Sequence, residues 1–122
     1  MARLAAAALQ QLDRCAADRT VEAMLRYQLG ELVFGWDARK ALRNARKHRV
    51  TFEEAATVFV DETARIYDDP DHSAYEARFL LVGHSAAGRL LLVVHVEKGD
   101  TIRIISARRA NANERRDHQA NA

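Results

Sequence analysis

Runs and alternations of apolar side chains mark out strands along most of this chain. Glu31-Leu32-Val33-Phe34-Gly35-Trp36 reads as a first strand and Ala64-Arg65-Ile66-Tyr67 as a short second one. Three more follow with short links. Arg78 to His84 turns through Ser85-Ala86-Ala87-Gly88 into Arg89 to Glu97, which turns through Lys98-Gly99-Asp100 into Thr101 to Ala107. Leu90-Leu91-Leu92-Val93-Val94 is apolar at every position, which predicts a central strand covered on both faces. Helical spacing takes over elsewhere. Asp37 caps a helix from Ala38 to about His48, with Ala38, Ala41, Leu42 and Ala45 on a narrow apolar face. Thr51 with Glu54 reads as a capping box for a second helix that buries Phe52, Ala55, Ala56 and Phe59 and closes at Asp61. Asn111 or Asn113 can cap a last short helix near Glu114. The order βααββββα predicts an α+β fold.

Residues 1–30 stand apart. Leu4, Ala8, Leu12 and Cys15 recur at helical spacing, and Asp18 or Thr20 restarts a helix through Val21, Met24, Leu25 and Leu29 that Gly30 ends. The expectation is a dispensable helical extension over 1–30, a main domain over 31–118 and a disordered tail over 119–122. Charge changes this picture more than composition does. With 48% hydrophobic and 30% charged residues the chain is ordinary for a globular protein, and a net charge of +2 does not by itself imply nucleic acid. Cations are grouped, however: Arg39, Lys40, Arg43, Arg46, Lys47 and Arg49 form one block, acids dominate from Glu53 to Glu76, and arginines return after Arg103. The last strand therefore starts apolar, at Ile102, Ile104 and Ile105, and ends by delivering Arg108 and Arg109 to a rim, a geometry suited to an anionic ligand. Cys15 is the only cysteine, so no internal disulfide or cysteine-built zinc site forms, which fits a cytoplasmic protein. No apolar run approaches a membrane span, and the alanine-rich start lacks the form of a secretory signal.

An ordered set of residues then points to one family. Phe34-Gly35-Trp36-Asp37, Lys40, Asn44, Lys47-His48, Phe52-Glu53-Glu54-Ala55, Phe59, Asp61, Asp71-His72-Ser73, Glu76-Ala77-Arg78, Gly83, Gly88-Arg89, Arg103-Ile104-Ile105-Ser106-Ala107-Arg108 and Glu114-Arg115 occur in sequence. Over about residues 33–117 this resembles the BrnT toxins of type II toxin–antitoxin systems. The resemblance implies a RelE-like fold with a small, mostly antiparallel sheet, and a ribonuclease that arrests growth. It also implies a BrnA-like antitoxin partner, with operator DNA met only through the antitoxin complex. Three positions depart from the family pattern: Arg49 where glycine is usual, Ala45 where an aliphatic residue is usual, and Asp117-His118 in a region that often carries tyrosine.

Cleaving RNA without a metal needs an acid or base and cations around the phosphorane. His72, Glu76, Arg78, Arg103 and Arg108 are the expected catalytic set, and Lys40, Lys47, His48, Arg109 and Arg115 the expected RNA-binding set. His48 and His95 compete with His72 and Glu76 for the proton-transfer role. His95 sits among valines, which favours a structural role, and a cationic His48 also suits a helix C-terminus. Asp68, Asp69, Asp71 and His72 lack the pattern of a calcium loop and read as a turn around Pro70. No cofactor and no metal ligand set is expected. Arg108, leaving the last strand on the same side as Ser106, is expected to hold phosphate and to matter little for folding. Two other readings compete: a catalytically weakened antitoxin-binding protein, and a helix-turn-helix DNA-binding module over residues 38–60. The second has its cations on the wrong helix, because Glu53 and Glu54 lie on the one that would enter the groove.

Overall fold

A computed structural model of the chain describes residues 24–70 and 76–121. Six strands and three helices follow one another: β1 (Met24–Leu29), β2 (Leu32–Asp37), α1 (Ala38–His48), α2 (Phe52–Thr57), a 3₁₀ turn (Val58–Val60), β3 (Arg65–Asp68), β4 (Phe79–His84), β5 (Leu90–Lys98), β6 (Thr101–Arg109) and α3 (Ala112–Ala120). The strands form one sheet in the order β1-β2-β6-β5-β4-β3. All neighbours are antiparallel except β2 and β6, which run parallel over Val33–Gly35 and Thr101–Arg103. The fold is α+β and mostly antiparallel, and β5 is buried near the middle of the sheet as its apolar run predicts.

β1 differs from expectation. Residues 24–29 form a strand, not the end of a helix; the earlier part of the expected arm lies outside the described residues. Leu25, Tyr27 and Leu29 alternate, and Gly30-Glu31 make a two-residue hairpin with Gly30 at φ 60°, so Leu29 pairs with Leu32. Tyr27 is buried against Trp36 and Phe34, with ring centroids 5.4 and 6.5 Å away. The domain thus begins by residue 24, and the hairpin supplies part of its core.

Helices α1 and α2 cover one face of the sheet. The core between them holds Phe34, Trp36, Val50, Phe52, Ala55, Val58, Leu91, Val93 and Ile104. Asp37 caps α1 by accepting from the Arg39 and Lys40 amides, and Arg46, Lys47 and His48 fill the last turn, where cations suit the helix dipole. Thr51 caps α2 through the Glu54 amide. The reciprocal half of the expected capping box is not made, because the Glu54 carboxylate turns to Ser85 and Arg89. Charge-assisted partners outcompete a backbone amide there. α2 buries Phe52, Ala55, Ala56 and Thr57 against the sheet, which leaves no recognition helix for the helix-turn-helix reading. α3 begins at Ala112, capped by Asn111 in a complete capping box with Glu114, and runs to Ala120, so residues 119–121 are not a disordered tail.

Arg49, where the resemblance leads one to expect glycine, ends α1 at φ 59° and ψ 31°. A side chain in this left-handed region costs roughly 1–2 kcal/mol that glycine avoids. Arg49→Gly is therefore expected to raise the unfolding free energy by about 1 kcal/mol, read as a shift of the urea midpoint at unchanged slope.

Candidate functional site

Opposite the α1–α2 layer the sheet presents a second face, and strand register assigns its residues. Side chains alternate along a strand and directly paired residues share a face. A bulge between Val94 and His95 sets β6 so that Val94 pairs with Ser106 and His95 with Ile104, which makes Ile105 the extra residue. Three rows result. Tyr67, Leu80, Val94 and Ser106 form one; Arg65, Val82, Leu92 and Arg108 form the next. In the third, Val96 pairs with Arg103, and one further step along the Phe79–His95 ladder brings Arg78 to its other side. The Asp69 amide donates to the Arg78 carbonyl at 3.0 Å, which continues the β3–β4 ladder to this point. Rows lie about 7 Å apart. An apolar strip of Leu80, Val82, Leu92 and Val94 is thus bordered by Arg78 and Arg103 at one end and Arg65 and Arg108 at the other.

The partners of these groups differ. Arg108 forks onto Glu114 with two contacts of 2.8 Å and also donates to the Arg109 carbonyl. The Glu114 hydrogen bond holds the Arg108 pKa above its usual value, and Arg108 in turn holds the Glu114 carboxyl below its own. Arg108 therefore docks α3 on the sheet, a structural role that residue type alone did not reveal. Arg65 reaches the Asn121 carbonyl. Arg103 makes no hydrogen bond or ion pair to a described residue. Glu76 lies 3.4 Å from the Lys98 ammonium, and its Oε1, like Nε of Arg78, is buried without a hydrogen-bond partner among the described residues.

The expected site residues fall into three groups. Glu76, Arg78, Arg103 and Arg108 share the face opposite α1 and α2, which α3 covers around Arg108. Lys40, Lys47 and His48 line a shallow cavity of about 270 Å³ beside Arg43, Asn44 and Ile105, on the helical layer. Arg109 and Arg115 line a cleft of about 350 Å³ with His84, Arg89 and His118. His72 lies outside the described residues. Arg65, Tyr67 and Lys98 join the sheet face of Arg103 unforeseen; their alternation within strands was readable, but which strand lies beside which was not.

His95 is fully buried, between Phe59 (ring centroids 4.8 Å apart) and Phe79 (5.7 Å), and neither ring nitrogen makes a well-aligned hydrogen bond to a described residue. It cannot reach a substrate, so its role is structural. Burial pushes its pKa below the ordinary 6.5, against smaller opposing effects of Glu97 and the Val93 backbone. The unfolded chain then binds a proton that the folded one refuses, so stability is complete above pH 6.5 and falls as pH drops through that value toward the folded pKa. The carboxylates of Glu54, Asp61 and Glu114 have lowered pKa values and lose stability only at more acid pH. His95→Phe is expected to flatten the loss between about pH 7 and pH 5, measured by urea unfolding at both.

A sheet face edged with arginines and partly covered by α3 has the charge to suit a polyanion. Residues 36–114 match the family described as the ribonuclease toxin, BrnT, of type II toxin-antitoxin system. The chain belongs to this family. Among solved structures, the 1.1 Å crystal structure of the Brucella abortus ribonuclease toxin BrnT is similar, at 22% identity, covering 62% of this chain and 92% of that one with a TM-score of 0.49. No curated protein matches the chain. No helix among the described residues is long and apolar enough to cross a membrane.

Proposed function

We propose that this chain is a RelE-like, metal-independent endoribonuclease of the cytoplasm that arrests growth by cutting RNA on the sheet face opposite α1 and α2, beside α3. The observation that carries the reading is the row Arg78–Val96–Arg103, with Arg103 making no hydrogen bond or ion pair to a described residue and Glu76 close by at Lys98. A phosphodiester lying across this row meets planar donors from both sides. The 2′-hydroxyl attacks the adjacent phosphorus, the new O2′–P bond forms as the P–O5′ bond breaks, and a 2′,3′-cyclic phosphate results. Glu76 takes the 2′-hydroxyl proton and His72 returns one to the departing 5′-oxygen. Arg78 and Arg103 stabilise the added charge, while Arg108, two rows away at the other end of the strip, meets a neighbouring phosphate. Lys40, Lys47, His48, Arg109 and Arg115 then serve flanking phosphates, which adds affinity and salt dependence.

A BrnA-like antitoxin holds the toxin inactive, and operator DNA is met only through that complex. Induced expression tests the reading. Growth should stop when this chain is produced alone and recover when the adjacent gene is produced with it. Unimpaired growth under strong expression of soluble protein would favour the alternative, an antitoxin-binding protein with weakened catalysis.

A further inference from the structure

We infer that Asp61, His84 and His118 form a binding site for one divalent transition-metal ion of the zinc class, placed to tie α3 to the sheet. One donor atom from each of the three lies within 4.8 Å of the other two. They come from three elements: the turn after the 3₁₀ segment, the end of β4, and α3.

Each ligand is oriented by its surroundings. The Asp61 carboxylate is held by the Thr63 amide at 3.0 Å, the Thr63 hydroxyl at 2.9 Å and the His84 amide at 2.6 Å. The turn carrying it is pressed on β4: a Cβ at Gly83 would stand 2.7 Å from the Ala64 Cβ and 3.0 Å from Asp61 Oδ2. His84 Nδ1 lies 3.5 Å from that same oxygen, a spacing that one ion can bridge. His118 is buried, and its Nε2 is 2.9 Å from the Thr63 carbonyl. A carbonyl only accepts, so Nε2 carries the hydrogen, and in the neutral ring Nδ1 offers its lone pair. A ligating histidine is ordinarily fixed in this way, by a second ring nitrogen donating to a carbonyl. The two rings stand 5.3 Å apart at 78°, not stacked.

Two imidazoles and one carboxylate select the ion. Magnesium and calcium prefer all-oxygen sites, whereas zinc takes this nitrogen and oxygen set and keeps its fourth position for water or an anion. Both histidines line the cleft that also holds Arg109 and Arg115, so an anionic fourth ligand meets opposite charge there. The ion's role is structural. The N-terminal end of α3 is fixed by Arg108–Glu114, and the metal fixes its C-terminal end.

Zinc chloride titrated into chelator-treated full-length protein, followed by calorimetry and thermal unfolding, tests this. One equivalent should bind, and zinc at about a hundredfold excess over Kd should raise the melting temperature by roughly 10 °C. His84→Ala, at an exposed side chain, should weaken binding at least about tenfold and abolish the shift while leaving the metal-free melting temperature unchanged. Imidazole nitrogen spectra of the wild type give a second readout, in which zinc should move the resonances of two of the five histidines, His84 and His118. No binding, binding unchanged in His84→Ala, or movement of other histidines instead would overturn the site. The outcome is independent of RNA cleavage, because none of the three residues is assigned to the reaction.

Discussion

Asn44→Ala should lower the unfolding free energy by about 3–5 kcal/mol and the melting temperature by roughly 15 °C or more. β2 pairs with β6 only as far as Arg103, so beyond that point β6 has no strand on its outer side. The buried Asn44 amide fills the gap. It donates to the Ala107 carbonyl at 2.8 Å and accepts from the Ala107 amide at 3.1 Å, as a neighbouring strand would, and donates to the Val50 carbonyl at 2.9 Å. Truncation strands three buried backbone groups, each costing about 1–3 kcal/mol when water cannot replace the partner. Asn44→Asp should do no better, because it keeps the acceptor but turns a carboxylate toward two carbonyls. Thermal unfolding of both variants checks this. A loss of less than about 1 kcal/mol would mean that water enters and that Asn44 is not a structural strut.

Arg103→Ala should cut RNA cleavage roughly ten- to a hundredfold while leaving the melting temperature unchanged. The two halves of this expectation have separate causes. Arg103 makes no hydrogen bond or ion pair to a described residue, so folding loses little when it goes. A charge-assisted contact to a transition-state phosphate is worth about 1.5–3 kcal/mol, which sets the loss in rate. Arg103→Lys should recover part of it, since charge remains but the planar fork does not. Arg108→Ala is the instructive contrast. The expectation that its loss leaves stability untouched does not survive the fork onto Glu114, and solvent screening of this partly exposed pair sets the cost at about 0.5–1 kcal/mol. Activity lost in both variants, with stability lost only in the second, is the expected pattern. Full activity in Arg103→Ala would remove the Arg78–Val96–Arg103 row from the reaction.

These contrasts show what a linear reading reaches. The strands β2 to β6 and the helices α1 and α2 are legible because apolar alternation, turn glycines and caps at Asp37 and Thr51 act locally. β1 was hidden because Val21, Met24, Leu25 and Leu29 fit a helix as well as Leu25, Tyr27 and Leu29 fit a strand; the Gly30-Glu31 hairpin was the deciding signal. Asn44 is visible as a residue of the family pattern, yet its role exists only where β6 loses its neighbour. The Glu54 cap failed for a similar reason, since Arg89 lies far away in sequence and next to it in space. Asp61, His84 and His118 carry no spacing signal and meet only in the folded sheet. Arg78, Arg103 and Arg108 were nominated from residue type, but the face they share follows from register and the bulge at His95.

The central claim is tested most directly by the chemistry of the cut. Purified full-length protein is incubated with a single-stranded RNA in excess EDTA, and the product ends are identified by mass. The account predicts fragments ending in 2′,3′-cyclic phosphate and 5′-hydroxyl, formed without added metal and lost in Arg103→Ala. Cleavage that requires a divalent ion, or fragments with 5′-phosphate and 3′-hydroxyl ends, would contradict it.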